Sequence, residues 1–327
     1  MDREFVFNDV TTWQGIAGRR ILITGATNGI GLAAAKELSH RGAQLAIVAR
    51  SRERADVAAR QIGGQVDVLV ADLASQASVR RLAAEALERY PRIDVLLNNA
   101  GAIYSRRQFT EDGIELTWAV NHLAPFLLTS LLLERLRASE PARVITTASE
   151  AHRMMPPLVS GSARVPFDNL RGDDAYGPLG LRRYGQTKLA CEHLLQWYAS
   201  KHGVDTGALR FTWVFGPGRT TGITASYSSL ILDAIAHGDA ITVPNPGERG
   251  DWLYVKDAVK AILNLWDART VRQRIFNIAG GVHSIREIVD IALKIRPDAK
   301  ATLAKSDATL SPYPVAYDDS AARTLLG

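Results

Sequence analysis

In Tyr184-Gly185-Gln186-Thr187-Lys188 a phenol and an ammonium stand four residues apart, which on a helix puts them on one face. A free phenol has a pKa near 10, and making it a proton donor and acceptor at neutral pH takes about 4 kcal/mol of differential stabilisation. A fixed cation beside it acts in the right direction, because it favours the phenolate. Tyr184 is therefore the candidate acid/base and Lys188 the cation that tunes it. Ser149 closes the run Val144-Ile145-Thr146-Thr147-Ala148, and its hydroxyl can donate to an oxygen on which negative charge develops. Asn121 falls inside a long helical pattern, an unfavourable position for its propensity; its amide can hold a water that links Lys188 to solvent. Singly, each of these residues is more often a cap or a core hydrogen bond. Arriving together at strand ends, Asn121, Ser149, Tyr184 and Lys188 make a candidate catalytic set.

A second constellation lies upstream. Thr24-Gly25-Ala26-Thr27-Asn28-Gly29-Ile30-Gly31 joins an apolar run, Arg20–Thr24, to an amphipathic stretch with Ile30, Ala33, Ala34 and Leu38 on one face. Glycines there let the chain turn sharply and let a pyrophosphate approach without a Cβ in the way. The helix that follows offers free N–H groups and the positive end of its dipole to the anion. The turn reads as a dinucleotide site. The next strand ends in Val48-Ala49-Arg50-Ser51-Arg52. A carboxylate here would hold ribose hydroxyls and favour NAD; a guanidinium instead forks onto a 2′-phosphate. Arg50, with Arg52 close by, therefore points to NADP(H), with NAD(H) as the alternative and an exposed surface arginine as the plain reading. Asp72, at the end of a third strand, either accepts from the adenine amino group or caps the helix beginning near Ser75. Asn98-Asn99-Ala100-Gly101 ends a fourth strand with small residues against which a cofactor can lie.

The elements that must position these groups alternate. Strands are expected at Arg20–Thr24, Leu45–Ala49, Val66–Ala71, Val95–Asn98 and Arg143–Thr147, with helices at Gly29–Arg41, Arg52–Gln61, Ser75–Tyr90 and Glu111–Ala138 and a further helix from Tyr184 to His202. Such alternation implies an α/β fold, a doubly wound parallel sheet covered on both faces, with its ligand beyond the C-terminal strand ends. The 153–183 stretch, rich in proline and glycine, breaks the rhythm, and loops of this length tend to be functional. Beyond Gly216 the elements shorten: helices at Ser228–His237, Lys256–Ala268 and Ile285–Ile295, strands at Ala240–Val243 and Ile275–Ile278. The expected organisation is an arm at 1–18, a dinucleotide-binding domain at 19–215 carrying the catalytic residues, and a smaller α/β substrate lobe at 216–327.

Composition narrows the class. The 327 residues are 46% hydrophobic and 22% charged, as in ordinary globular chains, with net charge +5. Arginine outnumbers lysine 31 to 8, but the basic residues are scattered pairs rather than the continuous face that nucleic acid needs. The start, Met1-Asp2-Arg3-Glu4, lacks the pattern of a signal peptide. The longest greasy stretch, Ala124–Leu133, is about half the roughly 20 residues that cross a bilayer. One cysteine, Cys191, allows no internal disulfide, and no cluster has zinc spacing, so no metal is expected. The expectation is a soluble cytoplasmic protein that acts on a small molecule, without nucleic-acid or membrane partners.

These signatures together, Thr24-Gly25-x-x-x-Gly29-Ile30-Gly31, Asn98-Asn99-Ala100-Gly101, Asn121, Ser149 and Tyr184-x-x-x-Lys188, resemble the short-chain dehydrogenase/reductase superfamily. Residues 19–190 are similar to its compact branch of retinol-dehydrogenase-like carbonyl reductases, with further echoes in Ala148-Ser149-Glu150-Ala151-His152 and Pro166-Phe167-Asp168-Asn169-Leu170. The resemblance implies a Rossmann fold in which Tyr184 transfers the proton, Ser149 steadies the substrate oxygen and Asn121 completes a relay. It implies cofactor contacts from the turn (Thr24, Gly25, Thr27, Asn28, Gly29, Ile30 and Gly31), and from Arg50, Asp72 and Leu73. It implies the same for Asn99, Ala100, Gly101 and Val120, for Tyr184 and Lys188, and for Phe211, Val214 and Pro217 over the nicotinamide end.

From residue 191 the likeness changes. Ala208–Arg219 with Phe215-Gly216-Pro217, then Asp251-Trp252-Leu253-Tyr254-Val255 and Phe276-Asn277-Ile278-Ala279-Gly280, resemble the extended epimerase/dehydratase branch. The chain therefore reads as a mosaic of two branches, natural or constructed. It departs from the extended pattern at Trp213, where those members often carry an asparagine that contacts a nucleotide sugar, and at Arg249-Gly250-Asp251, where Gly250 splits an Arg-Asp pair. It also stops at Gly327, short of their usual terminal segment. Arg219 and Arg249 are either a phosphate clamp or surface charge. The reading that follows is an NADP(H)-dependent carbonyl reductase or alcohol dehydrogenase whose apolar pocket is shaped by Trp213, Trp252 and the 153–183 loop. By family likeness it is a homodimer through the helices at 111–138 and 184–202. The alternatives are a sugar epimerase or dehydratase with tightly held NAD, and a cofactor-binding scaffold with little turnover.

Overall fold

A computed structural model describes residues 15–151, 181–217, 219, 225, 228–268, 274–305 and 316–326. The first six strands are β1 (Arg20–Thr24), β2 (Gln44–Ala49), β3 (Val66–Val70), β4 (Val95–Asn98), β5 (Arg143–Ser149) and β6 (Asp205–Phe211). After them come β7 (Trp213–Phe215), β8 (Ile241–Val243), β9 (Arg249–Tyr254), β10 (Arg274–Ile278), β11 (Val282–Ser284) and β12 (Ala301–Leu303). Seven strands form one sheet in the order β10-β6-β5-β4-β1-β2-β3, with every pairing parallel. The order reverses between β1 and β4, so the chains leaving those strands diverge and open a crevice at their C-terminal ends. This is the doubly wound architecture expected of alternating strands and helices.

Both faces are covered. On one, Ala34, Ala35 and Leu38 of the Gly29–His40 helix pack with Val259 and Ile262 of the Val255–Asp267 helix. On the other, Leu82 and Ala86 of the Gln76–Arg89 helix meet Leu128, Leu132 and Leu136, with Leu195 of the Leu181–His202 helix in the same cluster. The helix Leu116–Ala138 is long and apolar enough to cross a membrane by length and composition, longer than the Ala124–Leu133 run suggests, and those three leucines are spent on the core.

The expected boundary at residue 215 is corrected by the sheet. The Val255–Asp267 helix and β10 both lie beyond it, yet the helix covers the large sheet and β10 completes its edge beside β6. An open edge strand leaves backbone groups unpaired, and β10 satisfies them. Arg143 on β5 secures the return. Fully buried, it pairs with Asp205 at 2.5 Å and donates to the carbonyls of Leu265, Trp266 and Ala268, capping the C-terminus of the returning helix. What remains as a lobe is the sheet β11-β9-β7, the pair β12-β8 and the helices Ser229–His237 and Ile285–Ile295, around a core that includes Trp213, Ile231, Val243, Trp252 and Val289.

The helix expected from Glu111 begins instead at Leu116, where the Glu115 carboxylate accepts from the backbone N–H groups of Thr117 and Trp118. Its Ala119–Leu123 turn is wound as a π-helix. Pro125 has no N–H to give the carbonyl of Asn121 four residues earlier, and a proline ring crowds that carbonyl. The Cys191 thiol donates to it at 3.1 Å.

Candidate active site

The crevice is a cleft of about 820 Å³, large for a single small metabolite. Its floor is the Gly25–Gly31 turn. Gly25 has φ +69°, and a Cβ there would stand 2.8 Å from the Ala100 Cα. At Gly31 a Cβ would collide with the Gly25 carbonyl and the Asn99 side chain, so the helix start packs directly on the turn. Gly29 has φ +55° and opens onto unfilled space. Asn28, the N-cap, makes no side-chain capping bond, so the first-turn N–H groups of the helix are left facing the cleft.

Of the cofactor residues expected from sequence, Thr24 alone is not on the cleft wall. Its buried hydroxyl accepts from the backbone N–H groups of Asn99 and Ala100, both at 3.1 Å. The Asn99 amide in turn donates to the carbonyls of Thr24 and Gly25 at 3.1 and 3.0 Å. Thr24 therefore knots β1 to the end of β4, and that knot holds the turn. Gly25, Thr27, Asn28, Gly29, Ile30 and Gly31 line the cleft, as do Asn99, Ala100, Gly101 and Val120. So do Leu73, Phe211, Val214 and Pro217.

Arg50 lines the cleft at the end of β2, but its companion is Arg54 rather than Arg52. Ser51 is the N-cap of the Arg52–Ile62 helix, and this phase sends Arg52 outward to pair with Asp56 at 3.1 Å. Asp72 also lines the cleft. It does not cap the helix after β3, since Ser75 does so; one Asp72 oxygen accepts from Ala74 N–H in a tight turn. Tyr104, which sequence reasoning missed, lies on the wall too; burial pushes its phenol up, with Arg50 opposing and Asp72 assisting.

Ser149, Tyr184 and Lys188 converge at the other end of the cleft. Ser149 ends β5, and its Oγ accepts from Ala151 N–H at 3.2 Å. Lys188 is buried; its Nζ donates to the Thr147 carbonyl at 2.8 Å and stands 5.5 Å from the centre of the Tyr184 ring. A Cβ on Gly101 would come within 3.2 Å of that Nζ, so the small residues after β4 make room for the ammonium. The fourth expected member, Asn121, stands behind the wall rather than on it. Its carboxamide accepts from Ala102 N–H at 2.9 Å and donates to the Ala102 carbonyl at 2.8 Å. The expected water-holding amide is thus already engaged, and Asn121 fixes the loop after β4 instead. Beside it His122, half-buried against Trp118 and near Arg183, is held down to about 4, first by desolvation and then by the guanidinium. Burial likewise pushes the Cys191 thiol up to about 12.

The lobe supplies the roof. Trp213, Phe215 and Arg219 line the cleft, as does Tyr317 from near the C-terminus, which no motif marked. Trp252 does not. Its ring packs on Trp213 and Phe215 with centroids 6.0 and 5.6 Å away, and its Nε1 donates to the His283 carbonyl, so it belongs to the lobe core. Asp251 accepts from Thr212 Oγ1 at 2.8 Å and from Gly280 N–H at 2.7 Å, fixing the start of β7. Arg219 and Arg249 do not form a clamp: Arg219 donates to the Val214 carbonyl, and Arg249 lies 3.7 Å from Glu287. The 153–183 loop falls outside the described residues, except for 181–183.

Comparison with known proteins divides the chain in two. The short chain dehydrogenase family profile matches residues 19–161, and the profile of GDP-mannose 4,6 dehydratase matches residues 173–312. Retinol dehydrogenase 13 of Homo sapiens is 43% identical over 160 residues, 47% of this chain and 46% of that protein. Retinol dehydrogenase 14 of Mus musculus is 37% identical over 188 residues, 53% of each. The chain thus spans about half the length of the curated relatives it matches. Among solved structures, UDP-glucose 4-epimerase from Thermotoga maritima aligns over 94% of this chain and 92% of its own at 16% identity, with a TM-score of 0.66. The alcohol dehydrogenase of Thermococcus sibiricus, complexed with 5-hydroxy-NADP, aligns over 80% and 96% at 22% identity, with a TM-score of 0.56. At these identities the likeness is one of fold.

Proposed function

The chain belongs to the short-chain dehydrogenase/reductase superfamily, with a compact-branch first half and an extended-branch second half, and on that premise we propose that it is an NADP(H)-dependent carbonyl reductase or alcohol dehydrogenase. The observation that carries the reading is that Ser149, Tyr184 and Lys188 share one cleft with the glycine turn. The residues fit a dinucleotide. Gly29 is the place where a side chain would enter the unfilled space, Gly25 and Gly31 keep the turn packed tightly beneath it, a helix N-terminus faces it, and Arg50 with Arg54 offers two guanidinium groups where a 2′-phosphate would be recognised.

When bound, the nicotinamide cofactor exchanges a hydride with the carbonyl carbon of the substrate. The chain supplies the rest. Tyr184 gives its phenolic proton to the substrate oxygen as the carbonyl becomes an alcohol, and recovers one in the reverse direction. The Lys188 ammonium, fixed by the Thr147 carbonyl, stabilises the negative charge left on the phenol oxygen. Ser149 donates to the substrate oxygen while charge develops there. Trp213 and Phe215 give the substrate an apolar, aromatic wall.

The test is NADPH oxidation with a panel of aldehydes and ketones, and the same with Tyr184→Phe. Turnover should vanish in the variant while NADPH binding persists; unchanged turnover removes the proposal. The match of residues 173–312 to a dehydratase profile supports a second reading, an epimerase or dehydratase. That reading requires NAD(H) that stays on the protein through purification, whereas the reductase exchanges its cofactor each turnover.

A further inference from the structure

Tyr184 lies three residues into the Leu181–His202 helix as described, at its N-terminal end. Lys188, one turn on, has the Thr147 carbonyl as its anchor. The anchor for the first turn is Arg183. Its side chain is fully buried; Nε donates to Glu115 Oε2 at 2.8 Å, Nη1 donates to Gln186 Oε1 at 3.4 Å, and the guanidinium lies over the Trp118 ring at 4.9 Å. Glu115 is equally buried, and its two oxygens also cap the Leu116–Ala138 helix through Thr117 and Trp118 N–H. The next turn of that helix carries Val120, on the cleft wall, and Asn121, which holds the loop after β4.

Resting on the reading of Tyr184 as the proton carrier, we infer that Glu115 and Arg183 are positioning residues, a clamp that sets where the phenol stands by locking its helical turn to the turn that shapes the cleft wall. Neither residue is among those lining the cleft, so the pair acts through Tyr184. A buried ion pair is a poor means of stabilising a fold, because desolvation offsets the attraction and an apolar pair of similar size serves as well. A guanidinium–carboxylate contact supplies direction, since its planar donors accept only a narrow range of orientations. Direction is what proton transfer between fixed groups requires. The relation joins residues 68 apart in sequence and is invisible to motif reading.

The experiment uses the double variant Glu115→Gln/Arg183→Met, which removes both charges of the pair together, alongside Arg183→Lys, which keeps the charge and loses the fork. In the double variant kcat should fall about 10- to 100-fold, the scale of a misplacement of about 1 Å. KM for NADPH should stay within about twofold, because uniform binding is untouched. The solvent deuterium isotope effect on kcat should rise as proton transfer becomes limiting, a change that a merely structural role does not produce. Arg183→Lys should lie between. A folded double variant with wild-type kcat and isotope effect overturns the clamp. So does a double variant that fails to fold while Arg183→Lys keeps wild-type kcat. Tyr184→Phe separates the two claims: if it retains turnover the functional reading fails, whereas an inactive Tyr184→Phe beside a fully active double variant sinks the clamp alone.

Discussion

The ring of Trp213 lies across the backbone of Gly250, so close that a Cβ on the glycine would stand 2.6 Å from its Cδ2. Gly250 is the residue that splits the Arg-Asp pair of the extended branch, and its lack of a side chain is what lets the indole lie flat between β9 and the cleft. Gly250→Ala must therefore push Trp213 toward the substrate. Overpacking of this kind costs about 1–3 kcal/mol. The expected outcome is a lower melting temperature and a raised KM for bulky carbonyl substrates, with KM for NADPH little changed. Adding Trp213→Phe, which shortens the ring system, should restore both. A Gly250→Ala enzyme that keeps its KM for bulky ketones would show that the indole does not border the substrate.

Arg50 and Arg54 come to the cleft from the end of β2 and from the helix after it, and they should divide the recognition of a 2′-phosphate. A hydrogen bond to a charged group contributes about 1.5–3 kcal/mol, so Arg50→Asp should lower the NADPH-over-NADH ratio of kcat/KM by about 10-fold or more. Arg54→Ala should act in the same direction, more weakly. Arg52→Ala, which loses only an exposed pair with Asp56, should leave the ratio alone. The ratio measured for the three variants checks the assignment; equal effects from Arg52 and Arg54 would contradict the helix phase.

The parts of the site that were legible are those in which residue type and spacing alone dictate geometry. Three glycines between a buried strand and an amphipathic helix admit few structures, and a four-residue spacing on a helix fixes a shared face. Thr24 and Asn121 show a limit common to both: a sequence displays donors and acceptors but not whether the fold has already satisfied them. Thr24 is occupied by the N–H groups of Asn99 and Ala100, and Asn121 by Ala102. That Arg54 rather than Arg52 accompanies Arg50 follows from the helix phase, which depends on the cap, and Ser51 sets it. Trp252 and Trp213 are alike in composition, yet β9 and β7 place one ring in the lobe core and the other on the cleft. The return of β10 to the large sheet is a pairing of Phe276 with Leu209 across a long stretch of chain, and local periodicity carries no record of such pairings.

His122 makes the fold sensitive to acid. Burial, then the Arg183 guanidinium, hold its folded pKa down to about 4, against an unfolded value of about 6.5. Its neutral form therefore contributes stability that is complete above pH ~6.5 and is lost as pH falls through the folded value near 4. Within that window the unfolded chain takes up a proton that the native state refuses, so the free energy of unfolding declines with falling pH. The ceiling on this loss is ~3 kcal/mol for the one group. Urea denaturation of wild type and His122→Gln between pH 7 and about pH 4 reads it directly. The wild-type midpoint should fall faster than that of the variant below pH ~6.5, and the two curves should run parallel above it. Parallel curves throughout would mean that the imidazole titrates alike in the folded and unfolded chains, and that the Trp118–Arg183 surroundings impose no charge restriction on it.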